Sequence, residues 1–158
     1  MTDIDDLKKT LWEKLNDSPF VMVRLAGVDH AEPLTAMLDR KLADTLYFFV
    51  GRDNRLAAGG PATADFVSKG HDFFASFAGL VTPDMDRAMI DRLWSKPVES
   101  WFPGGKDDPN LLLLRFDIAD AELWQSDISI AGRIKMLFGG KIKPSEEGSH
   151  ARVATTTV

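Results

Sequence analysis

Two hydrophobic periods run along this chain, a helical one at the N-terminus and a strand-like one over most of the remaining residues. Ile4, Leu7, Leu11 and Leu15 recur at helical spacing, and Asn16-Asp17-Ser18-Pro19 stops the run. Thr2 is a candidate N-cap, with Asp5 three residues on as its capping-box partner. Phe20 to Leu25 then predicts a buried strand that turns through Ala26-Gly27-Val28-Asp29. Pro33 enters a return strand at Leu34 to Leu38, and the two together predict a hairpin. Thr45-Leu46-Tyr47-Phe48-Phe49-Val50 is the clearest strand, dense in aromatic and β-branched side chains.

Gly51-Arg52-Asp53-Asn54-Arg55 ends that strand and predicts a short helix, terminated by Gly59-Gly60-Pro61. Ala62 to Val67 and Phe73 to Val81 predict two more strands, joined by a Ser68-Lys69-Gly70-His71-Asp72 turn. Thr82-Pro83-Asp84 combines a capping hydroxyl, a first-position proline and a first-turn acid. It predicts a helix to about Trp94, with Met85, Met89 and Leu93 on one face. Leu111 to Ile118 predicts a sixth strand, which Glu122-Leu123-Trp124 would resume.

Six short strands with few helices predict a mainly β fold, a small antiparallel barrel, with the N-terminal helix covering one end. That domain spans residues 1–127. From 128 to 158 the character changes: Arg133, Lys135, Lys141, Lys143 and Arg152 outnumber Glu146 and Glu147. Gly-Gly and Pro-Ser-Glu-Glu-Gly-Ser interrupt any regular element there. This extension reads either as a loosely packed basic tail or as a segment folded over a partner subunit beside its ligand.

Composition narrows the function classes. With 158 residues, 44% apolar and 27% charged, the chain has the make-up of one ordinary soluble domain. No apolar run approaches bilayer length, and Asp3, Asp5 and Asp6 stand where a secretory signal needs basic residues, so a cytoplasmic location is expected. Without cysteine there is neither disulfide nor thiolate chemistry. A net charge of −5 argues against a general nucleic-acid binder.

Three segments carry candidate chemistry. At the Gly51 turn, Arg52, Asn54 and Arg55 suit an anion, by charge-assisted hydrogen bonds and by the free N–H groups of the expected helix. Asp53 opposes them and is expected to cap that helix; a plain solvated turn is the ordinary alternative. The strand Leu34-Thr35-Ala36-Met37 offers backbone polar groups, one hydroxyl and a soft thioether, which suit the rim and face of a flat heteroaromatic ring. A half-buried barrel strand is the alternative. Trp101 and Phe102, in Trp-Phe-Pro-Gly-Gly-Lys-Asp-Asp-Pro, either contact a ligand or pack in a core or dimer interface. The three histidines lack metal-ligand spacing, Ser68, His71 and Asp72 are too local for a nucleophile triad, and Asp107-Asp108 lacks an opposing carboxylate. Any redox or group-transfer chemistry would have to come from a cofactor.

Leu46-Tyr47-Phe48-Phe49-Val50-Gly51-Arg52-Asp53-Asn54-Arg55, Leu93-Trp94-Ser95, Trp101 to Pro109 and Ala121-Glu122-Leu123-Trp124 together resemble the general stress protein 26 group. That group lies within the pyridoxamine 5′-phosphate oxidase-like flavin-binding split barrels. The resemblance covers residues 5 to 125 and implies a six-stranded antiparallel split β-barrel that dimerises and binds FMN, or FAD, at the subunit interface. It also implies a flavin-dependent oxidoreductase of unassigned substrate. It maps the phosphate to Gly51, Arg52, Asn54 and Arg55, and the ring to Leu34–Met37 with Phe49 and Val50. Trp101 and Phe102 would approach from the other subunit. Three differences accompany it: Arg55 stands where the family commonly has lysine, Glu32-Pro33-Leu34 replaces Arg-Pro-Met, and Gly59 to Gly70 differs from the usual polar connection. The substrate-binding arginine and histidine of true pyridoxamine phosphate oxidases have no counterpart, so vitamin B6 synthesis is not expected. A flavin-free dimeric scaffold is the rival expectation, with Glu32 as its reason; another planar cofactor such as haem or a deazaflavin would suit the same groove.

Overall fold

Why two segments of this chain are apolar at every position, rather than at alternate ones, becomes clear from where they lie. The structure, a computed structural model, describes residues 4–126, 135–138, 141–144 and 149–154. The elements run α1 (Ile4–Asp17), β1 (Phe20–Leu25), β2 (Glu32–Thr35), β3 (Thr45–Gly51), β4 (Gly60–Val67) and β5 (Phe73–Pro83). Then come α2 (Arg87–Leu93), α3 (Lys96–Trp101), β6 (Leu111–Gln125), β7 (Lys135–Phe138), β8 (Lys141–Pro144) and β9 (Ser149–Ala154). Six antiparallel strands in the order β2-β1-β4-β5-β6-β3 form the expected split barrel. Its seam lies between β3 and β2 and is crossed by one bridge, Met37 to Tyr47.

β1 and β4 bury alternate residues, as a sheet with one wet face should. β3 buries its first six residues without a break, because both of its faces are covered. Leu46, Phe48 and Val50 point into the barrel with Leu112, Leu114 and Phe116 of β6. Tyr47 and Phe49 point outward with Leu111 and Leu113, into a second cluster roofed by Met89 and Ile90 of α2, Val98 of α3 and Phe102. The Leu111–Leu114 run is thus two leucines for each core. α1 closes the barrel through Leu7, Leu11 and Leu15.

Four expectations need correction. Residues 52–58 form successive turns rather than a helix. Asn54 Oδ1 accepts from the Leu56 N–H, and this side-chain bond competes with helical pairing. The helix expected from Thr82 begins only at Arg87, because Thr82 and Pro83 extend the β5–β6 ladder; Asp86 caps it, accepting from the Ala88 N–H. α3, with Ser95 as its cap and Pro97 in its first turn, is an unforeseen helix that leads into the aromatic segment and ends at Trp101. The second strand spans Glu32–Thr35 rather than Leu34–Leu38. Thr2 lies outside the described residues. In the C-terminal extension, β9 pairs with Asp120–Gln125 of β6, and β7 pairs with both β9 and β8. The described part of the extension therefore continues the chain's own sheet. No helix among the described residues is long and apolar enough to cross a membrane.

The Ser68–Asp72 turn, too local to be a catalytic triad, is a structural clamp. Ser68 is buried; its hydroxyl donates to Asp72 Oδ1 and accepts from the N–H groups of Asp72 and Phe73. Lys14 of α1 donates to Asp72 Oδ2 at 2.8 Å, fastening the lid helix to the β4–β5 hairpin. The lysine and then the serine hydroxyl hold the Asp72 carboxyl below its usual range. A lowered acid stabilises the fold above its unfolded-state value and loses that contribution as pH falls through its folded value. Asp72→Asn should therefore be less stable than wild type at pH 7, with the gap closing below about pH 4, as urea-denaturation midpoints across pH would show. A gap constant with pH would remove the charge from the clamp.

Gly79 stands at a register shift in the β5–β6 ladder. A Cβ there would run into the carbonyl oxygen of Asp117. Gly79→Ala should cost about 1–3 kcal/mol by chemical denaturation, the scale of an overpacked interior.

Candidate functional site

The turn at the end of β3 touches residues flanking the other two candidate segments, Glu32 before Leu34 and Pro109-Asn110 after Trp101-Phe102. Gly51 closes the β3–β6 ladder opposite Leu111. A Cβ on Gly51 would lie 2.8 Å from Asp53 Oδ1 and 3.0 Å from Asn110 Nδ2, so a larger residue would push these two side chains aside; no unusual φ calls for glycine. The Arg52 N–H donates to the Asn110 carbonyl and side-chain oxygens, and Arg52 Nε donates to the Pro109 carbonyl at 2.9 Å. The turn is thereby tied to the end of the aromatic segment, more than fifty residues away. Leu56, fully buried, anchors its far side in the barrel core.

The loop that holds the turn is itself held. Asp108 accepts from the N–H groups of Asn110 and Gly104, in that order of effect, which keeps its carboxyl below the ordinary range. Asp107 pairs with Arg87 at 2.6 Å, and Lys106 with Asp91 at 3.0 Å, so α2 grips the loop from the side. Both carboxylates of the Asp107-Asp108 pair are thus engaged in shaping the loop. Asp39, buried between β2 and β3, accepts from the Lys41 N–H and pairs with Arg92 of α2; these contacts hold its carboxyl low.

Backbone N–H groups of Arg52, Asn54 and Leu56 are all engaged within the protein. With no helix after it, the turn's anion-binding capacity rests on side chains, above all the exposed guanidinium groups of Arg52 and Arg55. Asp53 is exposed beside them and caps no helix. Arg55 leans toward the start of β2: its NH1 donates to the His30 carbonyl at 3.4 Å, and its Nε lies 3.5 Å from Glu32 Oε2.

β2 ends the strand path, so it keeps an open edge at the seam. Leu34 is half-buried against the barrel core, Thr35 is half-buried, and Ala36 is buried. Met37 packs on the second cluster, and its N–H and carbonyl both bond to Tyr47. Phe49 and Val50 are buried in opposite cores, so neither side chain is presented to a ligand. The two aromatics of the loop separate: Phe102 is 4% exposed within its own chain's second cluster, whereas Trp101 is 46% exposed. Sequence reasoning missed the Glu32–Arg55 pair and the role of Asn110. No local signal links residues so far apart.

Residues 6–144 match the family described as pyridoxamine 5′-phosphate oxidase like. Among solved structures, the general stress FMN/FAD binding protein of Xanthomonas citri is 41% identical, with a TM-score of 0.75 over 85% of this chain and 99% of that one. A general stress family protein of Xanthomonas campestris pv. campestris is also 41% identical, with a TM-score of 0.76 over 88% and 100% of the two chains. General stress protein 26 of Bacillus subtilis (strain 168) is 36% identical over 52 residues; the match spans 33% of this chain and 36% of that protein, about a third of its length. With its six-stranded split barrel and a match across most of its length, the chain belongs to the pyridoxamine 5′-phosphate oxidase-like family.

Proposed function

We propose that this protein binds a flavin through its phosphate, FMN in the first place and FAD as the larger alternative, and works as a flavin-dependent oxidoreductase. The observation that carries the reading is the pair of exposed guanidinium groups, Arg52 and Arg55, on a turn braced by Asn110 beside the open edge of β2. The 41% identity to a general stress FMN/FAD binding protein supports it. The residues present fit such a ligand. The two arginines match a phosphate, and the β2 edge at Leu34–Thr35 offers polar groups for a ring's rim. Bound there, the flavin would supply the electron transfer. The protein's own part is to anchor the phosphate, orient the ring and exclude water.

The reading extends to a homodimer with the flavin at the subunit interface, in the cytoplasm. Phe20 is 61%, Met22 44% and Val67 50% exposed on the outer face of β1 and β4, an apolar area that a second copy would cover. Trp101 is the member of the aromatic pair free to reach a partner's ligand. A flavin-free scaffold is the second reading, favoured by one observation, the carboxylate of Glu32 beside Arg55.

Two measurements test this. Arg55→Ala should weaken FMN binding by about 1.5–3 kcal/mol, the scale of a hydrogen bond to a charged group, and leave riboflavin binding nearly unchanged. Flavin-fluorescence titration reads both; equal effects on the two ligands would take Arg55 out of the phosphate site. In sedimentation the wild type should run as two chains and Phe20→Arg as one. A single-chain wild type would end the dimer proposal.

A further inference from the structure

We propose that Glu32 is an internal competitor for the phosphate: its carboxylate holds Arg55 until a phosphate-bearing ligand displaces it, and so it sets how strongly the site prefers phosphorylated ligands. The proposal rests on the phosphate-anchoring role of Arg52 and Arg55 and adds its regulation. Glu32 and Arg55 come from different elements, the start of β2 and the turn after β3, yet they face each other at the candidate site.

The pairing is a poor one, and its defects make it easy to exchange. The Nε to Oε2 distance of 3.5 Å is that of a long ion pair rather than a hydrogen bond at its preferred length. The other carboxylate oxygen, Oε1, is shielded from solvent and has no hydrogen-bond partner among the described residues. Burying an acceptor without a donor is unfavourable, so breaking this pair costs less than breaking one whose carboxylate is fully satisfied. Arg55 is 45% exposed at the side chain, which leaves its guanidinium open to an incoming anion. A phosphate offers the bidentate geometry that Glu32 does not achieve here.

Exchange has a cost that falls only on ligands carrying a phosphate. To reach Arg55 a phosphate must break the Glu32–Arg55 pair, whereas a ligand without the phosphate leaves that pair intact. Removing the charge should therefore raise affinity for FMN and leave riboflavin almost unchanged.

The test compares Glu32→Gln and Glu32→Ala with wild type, each also combined with Arg55→Ala. Flavin-fluorescence titration is run with FMN and with riboflavin. Thermal unfolding is followed in inorganic phosphate and in chloride at matched ionic strength. Both Glu32 variants should bind FMN up to about fivefold more tightly than wild type, the scale of one surface ion pair that no longer has to be broken, with riboflavin unchanged. Most of that gain should vanish in the Arg55→Ala background. An unchanged FMN-to-riboflavin ratio, or a gain of equal size without Arg55, overturns the proposal; the latter would make Glu32 a source of plain repulsion rather than a competitor. If no form binds flavin, the flavin reading falls, and the phosphate arm decides alone. A phosphate-specific rise in unfolding temperature in the Glu32 variants, abolished by Arg55→Ala, supports competition, and its absence ends it.

Discussion

Everything else in this molecule depends on the β3–β6 ladder being buried on both faces. Seven residue pairs, from Thr45 opposite Asp117 to Gly51 opposite Leu111, join the two strands. Their inward side chains fill the barrel, and their outward ones fill the cluster beneath α2 and α3. Burial of apolar side chains on two sides of one hydrogen-bonded ribbon makes its register hard to change, since a slip by one residue would exchange the occupants of both cores. The turn at Gly51 inherits that rigidity. It projects from the most constrained strand in the fold, and it is braced again by Asn110 at the beginning of the same partner strand.

Electrostatics then distinguishes two kinds of acidic residue. Asp39, Asp72, Asp91 and Asp108 all sit low in their titration range, because neighbouring cations or backbone N–H groups favour their charged form. Asp72 ties α1 to the β4–β5 hairpin, Asp39 and Asp91 tie α2 to neighbouring loops, and Asp108 shapes its own loop from within. Glu32 differs in that one of its oxygens is buried and unsatisfied among the described residues. Kept in that state beside an exposed arginine, it marks a place where the fold's charge pairing is incomplete, and that place is the candidate site.

The barrel was readable from the sequence because its determinants are local. Strand-forming stretches at Phe20–Leu25, Ala62–Val67 and Leu46–Val50 located those strands, and the count of six short strands with few helices pointed to the barrel. Turn chemistry read less well. Gly51-Arg52-Asp53-Asn54-Arg55 has a helix-start composition, yet the Asn54 side chain supplies a competing bond that no propensity scale weighs against the helix. Thr82-Pro83-Asp84 has the composition of a helix start, but ladder pairing with β6 carries the strand past it. At the candidate site, residue types were legible and their partnerships were not. Arg52, Arg55, Trp101 and Phe102 stood out as chemistry-bearing, but which ring is buried, and which carboxylate meets which arginine, is decided by contacts across dozens of residues.

Double-sided burial has a further consequence for how the chain tolerates change. In β1 and β4 every second residue meets solvent, so those strands have room for polar substitutions and for drift in surface chemistry. β3 offers no such positions over its first six residues. The turn that carries Arg52 and Arg55 therefore extends from a strand that can hardly vary, while the β2 edge opposite it belongs to the freer half of the barrel. Divergence in ligand preference among proteins of this shape has an easy route through β2, where Glu32 stands, and a difficult one through β3.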